Sequence, residues 1–144
     1  MAMGVAGFFI DKEGLQLGEM KTRDTTLKFV IFPRPEVYRG PLAVLVDSNS
    51  ASTTEILAGG LQDLGRARIF GTRTAGAALP SDIVRLPNGD GFQYARASYT
   101  SFNGRVLEGN GVTPDEVVEQ SREATAEGRD LVIEAAEAWI RTRH

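Results

Sequence analysis

Leu42-Ala43-Val44-Leu45-Val46, continuing into Asp47-Ser48-Asn49-Ser50-Ala51-Ser52-Thr53-Thr54-Glu55-Ile56-Leu57-Ala58-Gly59-Gly60-Leu61-Gln62-Asp63-Leu64-Gly65, decides how the chain reads. Five apolar residues without alternation predict a strand in a sheet covered on both faces. A row of small hydroxyl residues follows. Ile56, Leu57, Leu61 and Leu64 then share one stripe of a helix over about 51–64. Gly59 and Gly60 allow close packing at some loss of helix propensity, and Gly65 closes the helix. Ala67-Arg68-Ile69-Phe70 reads as a second short strand, so strand, helix and strand suggest a right-handed βαβ unit. Ser52 stands at the strand-to-helix turn, where free amides can hold a developing negative charge. Ser52 and Glu55 also fit the S-x-x-E capping box of a helix start. The spacing alone leaves Ser52 as nucleophile or cap.

Working outward, Leu15–Met20 and Thr26–Ile31 alternate like strands, with Arg23-Asp24 between them. Pro33, Pro35 and Pro41 mark an extended loop. Val5, Phe8 and Phe9 resemble the last turns of a helix, with Gly14 as its stop, so the chain is expected to be a piece of a longer protein. Downstream, a loop over 71–81 leads to Ile83–Leu86, a Pro87-Asn88-Gly89-Asp90-Gly91 turn, and an alternating run Phe92–Tyr99, which together predict a hairpin. A last helix over 129–143 places Leu131, Ala135, Ala138 and Trp139 on one face.

The 144 residues suffice for one domain with a real core. A net charge of −3 gives no sign of a nucleic-acid partner. With no cysteine there is neither a disulfide framework nor a thiolate metal site. No apolar run approaches the roughly 20 residues of a membrane span, and the first ten residues lack the basic start of a signal peptide. The acidic residues have no metal-ligand spacing with histidine, and the loop 71–76 lacks the Gly-Lys-Ser/Thr of a phosphate cradle. Neither metal nor other cofactor is expected.

Six ordered motifs then carry a resemblance. They are Ser50-Ala51-Ser52-Thr53-Thr54-Glu55; Gln62-Asp63-x-Gly65-Arg66-Ala67; Gly71-x-x-Thr74-x-Gly76; Leu86-Pro87-x-Gly89; Gly104-Arg105; and Glu108-Gly109-x-Gly111-Val112-x-Pro114-Asp115. From about residue 38 to 142 the chain resembles the tail-specific (C-terminal processing) serine proteases. The resemblance implies an α/β fold, the layered arrangement of crotonase and the Clp protease subunit, here as the C-terminal part of the catalytic core. It implies Ser52 as nucleophile and the Thr53 backbone N–H as one oxyanion donor. It places the second donor in an upstream Asp-x-x-x-Asn-x-Gly-Gly segment and a PDZ module further upstream; this sequence contains neither.

The general base departs from the family pattern. Most members carry a lysine directly after Thr-x-Gly, where this chain has Ala77, and its three lysines, Lys12, Lys21 and Lys28, all precede Ser52. Arg73 stays protonated and cannot serve as base. A tricorn-like branch uses an upstream histidine and a glutamate near the Gly-x-x-Pro-Asp motif, for which Glu108 is the match. Glu108 reads equally as a solvated turn carboxylate. Asp63 matches an acidic family position, possible support for the site, but reads more simply as a surface group at a helix end. Arg73 and Ser81 are candidates for lining the cleft, although loop polarity explains both. The only histidine, His144, is the last residue.

Two functions follow from the resemblance. One is serine endopeptidase action on proteins or peptides with loose, apolar C-terminal ends, in an extracytoplasmic setting. The other is a catalytically silent module that binds peptide or apolar ligand, which Ala77 motivates. The isolated chain is expected to lack protease activity and to self-associate through Phe8, Phe9 and Phe29.

Overall fold

The computed structural model describes residues 1–143; His144 lies outside the described residues. In chain order the elements are α1 (Ala2–Ala6), β1 (Gln16–Lys21), β2 (Thr26–Val30), β3 (Ala43–Val46), α2 (Thr53–Asp63), β4 (Arg68–Gly71), β5 (Ser81–Arg85), β6 (Gly91–Ala95), β7 (Ser98–Ser101), β8 (Glu116–Val117), α3 (Arg122–Ala126) and α4 (Leu131–Arg141). They build two three-stranded sheets and a hairpin. One sheet, in order β2-β1-β7, is antiparallel; the other, β3-β4-β8, is parallel. Helix α2 links β3 to β4, as the βαβ reading requires, with Val44 opposite Ile69.

Helix α2 packs against β1 and β7 of the first sheet, β4 of the second, and α1. Its Ile56, Ala58 and Leu61 join Leu17, Ile69, Tyr99, Leu107 and Val112 in one buried cluster. A helix held between two layers needs small residues where it meets backbone. Gly60 lies so close to β1 that a Cβ would fall 2.6–2.9 Å from Leu17 atoms, backbone Cα included. Tyr99 is buried, and its hydroxyl donates to the Leu17 carbonyl at 3.0 Å; desolvation pushes that phenol well above its ordinary range. On the other side of the parallel sheet, α4 packs on β3 and β4, with Trp139 tilted against Phe70 at 5.7 Å.

Several details differ from expectation. The alternating run Phe92–Tyr99 is two strands. At Arg96 the backbone N–H turns to the Pro80 carbonyl, and β7 leaves the hairpin to pair with β1. Coverage on both faces is met in β4, where Ile69 and Phe70 are fully buried, but not in β3, where Leu45 is 42% exposed. On α4 the inward residue is Ala136, and Ala138 faces out. Of the three phenylalanines expected at an open surface, only Phe8 is exposed. Phe29 packs edge-on against Tyr99, and Phe9 against Tyr38. Open apolar surface concentrates instead on the β5–β6 hairpin, which joins neither sheet and where Ile83 is 72% exposed.

The packing at Gly60 sets two effects against each other. Gly60→Ala gains about 1 kcal/mol of helix propensity and loses about 1–3 kcal/mol to overpacking against Leu17. A lower urea midpoint is the expected outcome; a raised midpoint would mean that β1 can yield.

Candidate active site

The chain leaves β3 through a turn built on Asp47. Its carboxylate accepts from the Asn49 and Ser50 N–H groups at 2.9 and 3.0 Å and from the Asn49 and Ser50 side chains. These bonds, that of the Asn49 side chain foremost, hold the Asp47 carboxyl below its ordinary range. The Ser50 carbonyl then accepts from the Ala75 N–H at 3.0 Å, which ties the turn to the loop after β4.

Ser52 sits at the cap of α2 with φ 58° and ψ −123°, the only positive φ of a non-glycine residue among the described residues. These are the angles of the first central position of a type II′ turn, which glycine dominates. The Thr54 N–H closes that turn onto the Ala51 carbonyl at 3.2 Å. Of the predicted capping box, only the Glu55 half is a hydrogen bond. The Glu55 carboxylate accepts from the Ser52 N–H at 3.1 Å, and the Ser52 side chain lies against the Glu55 amide. That amide, however, donates to the Ser52 backbone carbonyl at 2.9 Å, and the hydroxyl makes no cap hydrogen bond. The Ser52 oxygen is therefore not consumed by the helix start. Nor does the Thr53 N–H have a partner among the described residues, as expected for the first turn of a helix.

Glu55 is fully buried. Its Oε1 accepts from Thr74 Oγ1 and from the Gly76 N–H (2.8 Å), and its Oε2 from the Ala77 N–H (2.9 Å) and the Ser52 N–H. Four donors and no acceptor surround it, the complement of a carboxylate. Thr74 Oγ1 in turn accepts from the Val112 N–H at 2.7 Å. Gly76 packs with φ +72° against the main chain of 109–111, where a Cβ would sit 3.1 Å from backbone atoms. Sequence reasoning treated Glu55 only as a capping partner and did not single out Thr74. Their motifs, S-x-x-E and Gly-x-x-Thr-x-Gly, held the signal.

Glu108 is half-buried, and its Oε2 accepts from the Ala78 and Leu79 N–H groups at 2.8 and 3.0 Å. Its Oε1 has no partner among the described residues. Two cavities flank Ser52. One, of about 430 Å³, is lined by Ser52, Ala77, Leu79, Ser81, Tyr94 and Glu108 among others. The second, of about 400 Å³, also touches Thr53 and is walled by Met20, Phe29, Ile56, Ala78, Leu79 and Pro80, with the Asp82–Arg96 ion pair (3.1 Å) at its side. Ser52, Thr53, Glu108 and the Ala77 position thus come together, and Ser81 borders both cavities. No lysine or described histidine lines either one.

Arg73 and Asp63 lie elsewhere. Arg73 is exposed and reaches the Gly109 carbonyl at 3.4 Å. Asp63 closes the far end of α2, about 16 Å from Ser52 at 1.5 Å per residue. Asp63 is not the surface group the sequence suggests: its side chain is 4% exposed, ion-paired with Arg105, and accepts from the Asn103 N–H at 3.0 Å. Arg105 also donates to the Gly59 carbonyl, so the pair fixes the helix end to the turn after β7. A larger cavity, about 650 Å³, opens at that same end beside Arg66, Arg68 and Trp139 and is lined by no serine, threonine or lysine.

Residues 1–118 match the sequence model of Peptidase family S41. A carboxy-terminal-processing protease of Bartonella bacilliformis is 37% identical over 97 residues, 67% of this chain and 22% of the relative. A carboxyl-terminal-processing protease of Picosynechococcus sp. is 44% identical over 80 residues, 56% of this chain and 19% of the relative. The chain therefore spans about a fifth of the length of these curated relatives. Among solved structures, the photosystem II D1 C-terminal processing protease superposes with a TM-score of 0.69 at 29% identity, covering 82% of this chain and 30% of that one. The tricorn protease superposes at 0.70 and 22% identity, covering 96% and 13%, a likeness of fold. The layered α/β fold is that of these peptidases.

The backbone at residue 52 predicts an unusual stability order. Holding a non-glycine residue in that region costs about 1–3 kcal/mol. Ser52→Gly is expected to melt higher than Ser52→Ala, by about 1 kcal/mol after the entropy of glycine in the unfolded chain is counted. Equal melting temperatures would remove strain from the description of this turn.

Proposed function

The chain belongs to Peptidase family S41, and on that premise we propose that it forms the C-terminal, nucleophile-bearing part of a serine endopeptidase catalytic domain. The observation that carries the reading is the turn at Ser52. An uncapped hydroxyl and an unpartnered Thr53 N–H adjoin one another at the mouths of two cavities. A peptide carbonyl seated there meets the oxygen that attacks it and a donor for the charge that develops.

In the proposed mechanism the Ser52 oxygen adds to the scissile carbonyl and its proton passes to a base. The tetrahedral oxyanion is held by the Thr53 N–H and by a second donor from another segment of the longer protein. Collapse returns the proton to the leaving amine and leaves an acyl-serine, which water hydrolyses by the same route. With Ala77 in place of a lysine, the base is a histidine of the longer protein, as in the tricorn-like branch. Glu108 orients it through Oε1, while Oε2 secures the loop at 78–79. The wall of the second cavity formed by Met20, Phe29, Ile56 and Leu79 suits an apolar substrate side chain beside the cleaved bond. The exposed apolar hairpin favours self-association of the isolated chain.

Ala77 supports a second reading, a silent module that binds peptide or apolar ligand in the same cleft. Fluorophosphonate labelling of the full-length protein separates the two. Under the peptidase reading labelling occurs, Ser52→Ala removes it, and Glu108→Gln slows peptide turnover by about a hundredfold or more. Labelling that survives Ser52→Ala would overturn the nucleophile assignment. A folded protein that labels only after Ala77→Lys would establish the silent module.

A further inference from the structure

The proposed mechanism has no use for the most deeply buried carboxylate among the described residues. Glu55 touches neither cavity, yet it accepts from the backbone N–H of Ser52 itself and from three donors of the loop 74–77. We infer that Glu55 is a positioning residue: with Thr74 it holds Ser52 in its strained conformation and sets the nucleophile in register with the strand of chain that carries Glu108. The inference rests on Ser52 being the nucleophile.

Three observations bear it. First, a serine does not hold φ 58° and ψ −123° unless its surroundings over-determine it. The Ser52 N–H is gripped from two sides, by Glu55 Oε2 at 3.1 Å and by the Ala77 carbonyl at 3.0 Å. Because this N–H points into the protein, the free amide at the cleft is that of Thr53. Second, the Ala77 N–H returns to the same Oε2 at 2.9 Å. Ser52 and the position that lines the cleft opposite it are therefore fastened to one atom. Third, Thr74 Oγ1 donates to Glu55 Oε1 and accepts from the Val112 N–H, while the Gly109 N–H donates to the Gly76 carbonyl at 2.8 Å. These bonds carry the same anchor to the segment 107–112 and hence to Glu108. A capping residue would need only the first turn of α2; this carboxylate also binds the loop 74–77 and, through Thr74, reaches the segment 107–112.

The role predicts a particular kinetic signature. Glu55→Gln keeps the shape but turns an NH₂ toward donors, so one pair of N–H or O–H groups must move apart. A displacement of this kind acts on the attacking geometry, where a shift of about 1 Å is worth about a hundredfold, and leaves the substrate cavities in place. In the full-length protein, Glu55→Gln is expected to lower kcat by about a hundredfold with KM within about threefold, and to slow fluorophosphonate labelling in parallel. Thr74→Val is expected to lower kcat about tenfold, with Thr74→Ser near wild type because the hydroxyl returns. Unchanged kcat in folded Glu55→Gln, or a change carried by KM alone, would overturn the inference. If Glu55→Gln does not fold, the Thr74 pair decides: equal kcat in Thr74→Val and Thr74→Ser would overturn it. Labelling lost in Ser52→Ala but untouched in Glu55→Gln would reject the positioning role and keep the nucleophile; labelling retained in Ser52→Ala would remove both.

Discussion

A carboxylate buried without a cation is admitted to a protein interior only where fixed dipoles replace the water it gives up. Glu55 is such a group, and the need to satisfy it shapes everything around Ser52. Its four donors come from both ends of a 25-residue span, and none is interchangeable with solvent. The loop after β4 cannot wander, since the N–H groups of Gly76 and Ala77 must face inward. The turn that carries Glu108 cannot wander either, because Thr74 and Gly76 bond its backbone. The position of the cleft follows from this satisfaction problem together with the Glu108 bonds to Ala78 and Leu79.

The second requirement is that α2 stay still. A helix that presents a residue from its first turn gains nothing from rigidity at that end if the other end rocks. Here the far end is fixed by the Asp63–Arg105 pair, and the middle by Gly59 and Gly60, which bring α2 against Val112, Leu107 and Leu17. Small residues in the centre and an ion pair at the base make α2 a post between two sheets, with Ser52 at its top.

Much of this was legible in the residues. The unbroken apolar run before Ser52 and the stripe Ile56, Leu57, Leu61, Leu64 predict β3, α2 and their connection to β4, because strand and helix periods differ plainly there. The strand–turn–helix placement of Ser52 follows, and family motifs add Thr53 and Glu108 as candidates. Other features were not legible, for identifiable reasons. Alternation continues through Phe92–Tyr99 although the hydrogen-bonding partner changes at Arg96, since side-chain period carries no information about which strand lies alongside. Glu116–Val117 is too short to show any period. Asp63 looked like a helix-end charge because its partner Arg105 lies 42 positions away, and Glu55 looked like a cap because its other three donors are long-range.

The strained angles at Ser52 also say when this site can exist. The bonds that enforce them close loops of 19 to 38 residues, contacts that form late because chain entropy opposes them. Before they close, nothing compels residue 52 into a glycine-like bend, and its hydroxyl is that of any serine in a flexible chain. A newly made or partly unfolded molecule therefore lacks this bend: the geometry at residue 52 is written into the tertiary contacts and vanishes with them.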